Sequence, residues 1–340
     1  MKTIAVPSPA SSRRRLEWPS IVLAAVIHAG WLTATFYANM MAWWVALPIG
    51  AWLIAWHMSL QHEVIHGHPT RLPWLNDLLG SLPISLWLPY HRYKASHLGH
   101  HRGETLTDPI DDPESHYITA DRYARSLLPE RLLLRANNTL LGRLTVGPLL
   151  GQAVFLTREA RLILAGDGDA IRGWLVHLPG LALVVAWLTL VCHLSLLSYV
   201  VLFVYPGYSL ALVRSFAEHR SADAADHRTA IVERTPILGL LFLNNNLHVV
   251  HHLQPGLPWY RIPAAYRADR AALLQHNGGL VYRGYLDVAR RYLLRQHHDL
   301  VHRRELRAPA AIPGWCAAAA SRRGRPRSDR AVSSPSPRTG

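Results

Sequence analysis

The sequence predicts an all-α integral membrane protein: four transmembrane helices in two hairpins, with a cytoplasmic helical cap carrying a histidine-rich dimetal site. Three observations predict it. Half of the 340 residues are hydrophobic, and they concentrate before residue 61 and between 174 and 213 instead of spreading through a globular core. These stretches divide into four segments of about 20 residues, roughly 30 Å of helix, which is the thickness of a bilayer's hydrocarbon. Three histidine clusters adjoin them: HEVIHGH at 62–68, HLGHH at 97–101 and NNNLHVVHH at 244–252.

The elements follow in chain order. Residues 1–18 are a basic segment with Arg13, Arg14 and Arg15 just before the first apolar stretch. That stretch is long, lacks a clear small-residue cleavage site and is followed at once by another, so it reads as a retained anchor and not a cleaved signal. The first span is 19–38 and the second 41–60, with Trp43 and Trp44 as interfacial residues and Pro48 and Gly50 as kink points. His62 starts directly after the second span. Residues 78–90 are too short to cross and contain two prolines, which predicts an interfacial or re-entrant helix. Residues 121–173 read as amphipathic surface helices, including the apolar stretch 145–156, with Arg122, Arg125, Arg131 and Arg135 at headgroups or in water. The apolar run from Trp174 to Val213 is two spans, 174–192 and 194–213, broken near Cys192–Ser195 and closed by Arg214. His219 lies just beyond. The polar stretch 215–302 joins 62–173 as the cap, so the membrane domain is 19–302.

Arg13–Arg15 place the N-terminus in the cytoplasm by the positive-inside bias. Two hairpins then return every histidine cluster, and both termini, to that side, in a bacterial inner membrane. Residues 303–340 hold nine Arg and two acidic residues, half of the net charge of +14. Rich in Ala, Pro and Ser, they read as a disordered basic tail touching anionic lipid or an acidic partner. The charge therefore does not indicate nucleic acid, and no zinc-finger, RNP-like or helix-turn-helix pattern accompanies it. Two cysteines, Cys192 and Cys316, exclude a disulfide scaffold, a four-cysteine zinc site and an iron–sulfur cluster.

The histidine spacing is helical. His97, His100 and His101 stand at i, i+3 and i+4, His248, His251 and His252 repeat that spacing, and His62 and His66 are one turn apart. Three helices can present these eight imidazoles to one centre, and His219, preceded by Glu218, is a ninth candidate. That is too many for one zinc, which takes three or four protein ligands. Imidazole also suits iron, and two irons with about four nitrogens each fit the number. Isolated histidines in apolar runs (His28, His57, His177, His193) read as packed or hydrogen-bonded. His91 is on the far side of its helix, and His276, His297, His298 and His302 read as solvent-facing. Candidates to support the ligand rings are Glu63, His68, Asp108, Asp111, Asp112, Glu114 and Glu218, through carboxylates fixing the far ring nitrogens; the acids at 108–114 read otherwise as a solvated acidic loop. Arg92, Lys94, Arg102 and Arg220 would pair with these acids or dock an electron donor.

Two rival readings follow from the same residues. His62-Glu63-Val64-Ile65-His66 matches the zinc-protease pattern HExxH, with Glu63 as the general base in a membrane protease. That reading leaves two clusters unexplained. A metal-binding transporter wants its polar groups near mid-bilayer, whereas the dense clusters lie outside the apolar segments.

With these boxes the sequence resembles the membrane fatty acid desaturase superfamily over roughly 20–300. The boxes would be His62/His66, His97/His100/His101 and His248/His251/His252, with His219 in the place of the further histidine that acyl desaturases carry after the last span. The stretch LTDPIDDPES at 106–115 and the NNNLHVVHH form of box three are similar to a bacterial acyl desaturase-like branch. The resemblance implies that Asn244 or Asn245 supports the metal site through water, although Ser215 stands where an Asn might precede His219. The resemblance implies an oxidoreductase with two iron ions and dioxygen as co-substrate, which introduces a double bond into a fatty acyl chain. It equally admits a hydroxylase, ketolase or desaturase of a carotenoid or small amino-acid-like metabolite. It implies no covalent nucleophile. With no nicotinamide, flavin or haem fingerprint in the chain, electrons would come from a separate ferredoxin, rubredoxin or cytochrome b5-like donor with its reductase. The acyl substrate would enter between the spans, with Trp52, Trp56 and Trp87 as candidate lining.

Overall fold

A computed structural model describes residues 16–101 and 105–303. The expectations for residues 1–15, for Arg102 and for the tail from 304 onward lie outside the described residues. Fifteen α-helices and one two-residue strand pair are described. The membrane part begins with α1 (Trp18–Phe36) and α2 (Trp43–Ile65), joined by a short turn. The cap then begins with α3 (Pro73–Ser81), α4 (Tyr90–His100), α5 (Ala120–Arg125), α6 (Leu128–Asn137), α7 (Leu140–Thr145) and α8 (Gly147–Leu164). The second hairpin is α9 (Gly168–Ala186), α10 (Leu196–Tyr199) and α11 (Tyr205–Glu218), with wider π-helical turns at Trp187–Val191 and Val200–Val204. The cap closes with α12 (Pro236–Leu241), α13 (His248–Leu253), α14 (Ile262–His276) and α15 (Tyr285–Tyr292). Strands β1 (Ile231–Val232) and β2 (Val281–Tyr282) pair in parallel.

Among the described residues, four helices are long and apolar enough to cross a bilayer: Trp18–Phe36, Trp43–Ile65, Gly168–Val191 and Leu196–Glu218. Their outward faces carry Val22, Val26, Leu32, Leu175, Leu183, Leu190 and Val201, all exposed. Apolar side chains in such number on the outside suit a protein whose solvent is lipid, and the protein is a multi-pass membrane protein. The break between the last two spans falls at Cys192–Ser195, as the polarity dip predicts. Two ends differ. The second span runs on to Ile65, so His62 sits inside its last turns and not after it. The third span begins at Gly168, where the Asp167 side chain caps it by accepting from Ala170 N.

Packing between spans uses small residues and buried polar links. A Cβ on Gly207 of α11 would lie 2.4 Å from Ile54 Cβ of α2, and one on Gly50 of α2 would lie 2.6 Å from the Phe203 ring. Only glycine lets these backbones approach so closely. Trp31 Nε1 donates to Tyr199 Oη at 2.8 Å and Trp187 Nε1 to Thr35 Oγ1 at 3.0 Å. The 82–89 stretch is not an interfacial helix. It is irregular and largely buried, with Ile84 O accepting from Tyr199 and Leu86 O from His177. Non-helical backbone at this depth persists because protein groups, not lipid, satisfy it.

The isolated histidines divide. His28 bonds to Ala24 O and its ring meets that of buried His57, and His177 is buried. His193 is instead exposed at the turn between spans with φ +50°. His297 and His302, expected in solvent, are buried: His297 packs on Phe216 and Tyr292, and His302 bonds Thr107 Oγ1 at 3.1 Å. His298 is also largely covered, against Tyr117. The chain after α15 folds back onto the 105–117 loop, which a linear reading cannot see.

Candidate metal centre

All nine predicted histidines converge, and they do so as two groups. His62, His66, His97, His101 and His251 form one, and His100, His219, His248 and His252 the other; within each, the donor atoms lie within 4.8 Å of one another. Helix geometry explains the partition. At roughly 100° per residue, i and i+4 point about 40° apart, while i+3 points to the other side of i. His97 and His101 therefore aim together and His100 diverges. His248 and His252 likewise aim together, and His251 crosses to the opposite group. The groups are adjacent, for the His101 and His252 rings stack at 4.4 Å.

The ring nitrogens face each other. In the five-histidine group, Nε2–Nε2 separations are 3.0 Å for His66–His97, 3.1 Å for His97–His101 and 3.1 Å for His101–His251. In the other they are 3.1 Å for His100–His219, 2.9 Å for His219–His248 and 3.0 Å for His248–His252. Meanwhile the far nitrogens have acceptors of their own. His97 Nδ1 lies 3.2 Å from the Glu114 carboxylate, and His100 Nδ1 is 2.8 Å from Asp112. His248 Nδ1 is 3.0 Å from Asn245 Oδ1 and 3.3 Å from Glu218, and His219 Nδ1 is 3.3 Å from Arg228 O. Protons held on Nδ1 leave Nε2 lone pairs aimed at one another, an arrangement that repels unless a cation sits among them. The edges match such a cation: nitrogens at right angles around a metal at about 2.1 Å are roughly 3.0 Å apart. Five donors in one group exceed the tetrahedral set of zinc. The donor set therefore fits two metal ions of the imidazole-binding, higher-coordinate kind, such as iron.

Electrostatics point the same way. Burial, and then the neighbouring imidazoles His97 and His101, push His66 down to about 2. Burial followed by His97 and His100 puts His101 at about 3. His219, His248, His251 and His252 are driven well below the ordinary value, by burial first. These rings stay neutral and ready to ligate. His100 is the exception: burial opposes its charge, but the Asp112 hydrogen bond and nearby carboxylates outweigh it and raise the value. Burial would raise Glu114, yet His97 and His100 hold its carboxyl below the usual range.

The supporting residues sort by position. Asp112 is buried and triply used: Oδ1 accepts from His100 and from Glu114 N, and Oδ2 accepts from Thr107 N at 2.8 Å. Asn245 touches both groups, its Nδ2 lying 3.2 Å from His62 Nε2. Glu218 is also held by Arg214 at 3.2 Å. Asn244, by contrast, is turned out at φ +57° and donates to Trp259 O. Asp108 organises its own loop by accepting from Ile110 N and Asp111 N, and Asp111 is exposed.

Glu63 and His68 form a separate arrangement with Glu17. Glu17 is on the Nδ1 side of His68 at 2.9 Å and Glu63 on the Nε2 side at 3.9 Å. Carboxylates on opposite ring nitrogens tie the start of α1 to the end of α2, and the three residues are a third group with donor atoms within 4.8 Å of one another, apart from the nine histidines. Glu63 also accepts from Trp259 N at 3.0 Å. It thus faces away from the imidazole groups and cannot be the general base of a zinc protease there. Arg92 and Lys94 pair with Glu159 and Asp77, not with the site acids.

A cavity of 270 Å³ reaches His62, His97, His100, His219 and His248. Trp87 lines it, whereas Trp52 and Trp56 pack on each other and Trp56 donates to Leu240 O. It shares Gly151, Phe155 and Tyr208 with a 600 Å³ cavity walled by Leu150, Val154 and Phe155 of α8. The 145–156 stretch is thus a surface helix with one face turned inward. Tyr93, whose ring is 5.8 Å from that of His97, and Arg143 line the cavity and carried no signal in the sequence.

Comparison with known proteins gives two results. The fatty acid desaturase family model matches residues 38–284. A relative from Nostoc sp. (strain 36), an sn-1 acyl-lipid omega-3 desaturase (ferredoxin), is 31% identical over 102 residues, or 28% of this chain. That match covers 27% of the relative's length.

Proposed function

The chain belongs to the fatty acid desaturase family, and from that premise we propose that it is a membrane oxidoreductase that introduces a double bond into a fatty acyl chain, using two iron ions and dioxygen. One observation carries this reading: nine imidazoles in a five-and-four division, eight of them with Nε2 atoms facing one another, and with Asp112, Glu114, Asn245 and Glu218 beside the Nδ1 atoms of His100, His97 and His248. His62, His66, His97, His101 and His251 would hold one ion and His100, His219, His248 and His252 the other. When bound, the irons supply oxygen activation and the oxidising power to take hydrogen from an unactivated C–H bond.

The chain's own residues do the rest. Asp112 and Glu114 fix the tautomers of His100 and His97. Trp87, Phe155 and Leu212 give the cavity apolar walls that position an alkyl chain and keep water out. No side chain there is asked to act as a nucleophile. Electrons would come from a separate ferredoxin, rubredoxin or cytochrome b5-like protein with its reductase; the ferredoxin named for the Nostoc relative supports this. The histidine groups and both termini would face the cytoplasm of a bacterial inner membrane, by the Arg13–Arg15 bias.

The test is turnover in nanodiscs with a ferredoxin, its reductase, NADPH and saturated acyl substrates. The expected product lacks two hydrogens, requires oxygen and disappears in His101→Ala. A product carrying an added oxygen from O2 would assign hydroxylation instead, and no oxidation by fully iron-loaded protein would count against the acyl reading.

A further inference from the structure

Four arginines line the joined cavities, Arg92, Arg143, Arg158 and Arg214, and they are not equivalent: Arg158 is exposed to solvent. Arg92 is held by Glu159 at 2.7 Å and Arg214 by Glu218 at 3.2 Å. Arg143, on α7, is 3% exposed. Its Nε donates to Asn137 O at 3.0 Å and its guanidinium carbon lies 5.8 Å from the Phe216 ring centroid. Its Nη1 is buried and has no hydrogen-bond partner. Among the described residues, no carboxylate lies within ion-pairing distance of it. The acids sharing its cavity are committed elsewhere: Asp112 to His100, Glu114 to His97, and Glu218 to Arg214 and His248.

A carbonyl oxygen and a ring face satisfy geometry but do not neutralise a charge. Burying an uncompensated guanidinium is costly. Burial alone brings Arg143 down to about 10, with the Tyr208 phenol as the one neighbour acting the other way. Such a group is kept where a ligand completes it. Arg143 lines the same cavity as His100 and His219, and Phe216 is on the last turn of α11, three residues before His219, which follows that helix.

We propose that Arg143 receives the carboxylate of a single-chain substrate whose alkyl part fills the adjoining apolar cavity and passes the histidine groups. This deepens the function proposed above and rests on it. The planar guanidinium fork matches a carboxylate in two hydrogen bonds. A two-chain lipid would instead bring a neutral ester to this point and leave the charge unmet. A single-chain lipid phosphate shares the anion chemistry, and the test separates it.

The experiment is calorimetric titration of the iron-loaded protein in nanodiscs with decanoate, with decanamide as the neutral isostere, and with a decanoyl lysophospholipid. The same ligands are titrated into Arg143→Gln and Arg143→Lys. Wild type is expected to prefer decanoate over decanamide by about 10- to 100-fold, the value of a charge-assisted pair. Arg143→Gln should lose that preference through decanoate alone, and Arg143→Lys should keep part of it. Ligand-free Arg143→Gln should melt at or above wild type, because an unpaired buried charge has been removed. Equal binding of both ligands by wild type would overturn the proposal. So would a preference surviving in Arg143→Gln, tighter binding of the lysophospholipid than of decanoate, or a ligand-free Arg143→Gln that melts well below wild type. No turnover is read, so failure here leaves the iron content and the oxidation assay standing as separate tests.

Discussion

Replacing Asp112 by Asn should weaken one metal position and spare the other. Asp112 is 5% exposed, and its two oxygens accept three protons: His100 Nδ1–H at 2.8 Å, Glu114 N–H at 2.9 Å and Thr107 N–H at 2.8 Å. An amide has one oxygen. If its NH2 faces Thr107, two donors oppose each other. If it faces His100, the imidazole must shift its proton to Nε2, the nitrogen aimed into the four-histidine group. Loss of such a support costs about 10- to 100-fold in metal affinity, or about 1.4–2.8 kcal/mol. The mirror substitution is Glu114→Gln, which acts on His97 in the five-histidine group at 3.2 Å. The longer contact and partly exposed carboxylate predict the smaller end of that range. Competition titration against a chromophoric chelator should show two tight ions in wild type and one weakened ion in each variant. The weakened ions should differ, so that the double variant weakens both. Variants that weaken the same ion, or an Asp112→Asn protein with unchanged affinity at both positions, would refute the reasoning.

Other consequences follow. Glu63→Gln should keep the full metal content, because Glu63 faces His68 and Trp259; Glu63→Ala should lower stability by about 1–3 kcal/mol by stranding the Trp259 N–H, read by thermal melting and metal analysis. Gly207→Ala should be destabilising by about 1–3 kcal/mol, since its Cβ would fall 2.4 Å from Ile54 Cβ between α2, which carries His62, and α11, which ends just before His219; a melting temperature equal to wild type would contradict it. The 297–302 segment should loosen in acid. Burial first, then His298, push His297 down to about 2, while burial puts His298 at about 4. In an opened state both return to about 6.5. Lowered values in the fold mean that the open form binds more protons, so the contact is full above about pH 6.5 and weakens as pH falls, by up to about 1.4 kcal/mol per pH unit for each group. Hydrogen exchange in that segment, corrected for intrinsic rates, should quicken from pH 7.5 to 5.5; slowing would contradict it.

Much of the site was legible because helical spacing is a local property. His97/His101 and His248/His252 at i+4 announce shared faces, and the crossing of His100 and His251 follows from the same angles. The supporting shell was legible only as a set of residue types. Asp112 and Asp111 are adjacent and chemically alike, and only the turn started by Asp108 turns one inward and the other outward. Positive φ at Leu243 and Asn244 swings Asn244 away and presents Asn245, a distinction no composition rule carries. The Glu63 reading failed for a similar reason: HExxH fixes the ligand face, while the glutamate's own direction depends on His68 and Trp259 packing against it. Arg143 and His297 were missed because their meaning comes from partners distant in sequence or lacking altogether. The spans were readable from apolar length, but the end of the second was not, since His62 and Glu63 are polar residues that stay helical through burial in the cap.

The most direct measurement is elemental analysis of iron and zinc per chain after iron-replete expression and purification in detergent. The account predicts close to two irons and little zinc. One zinc without iron, reproduced under those conditions, would contradict it.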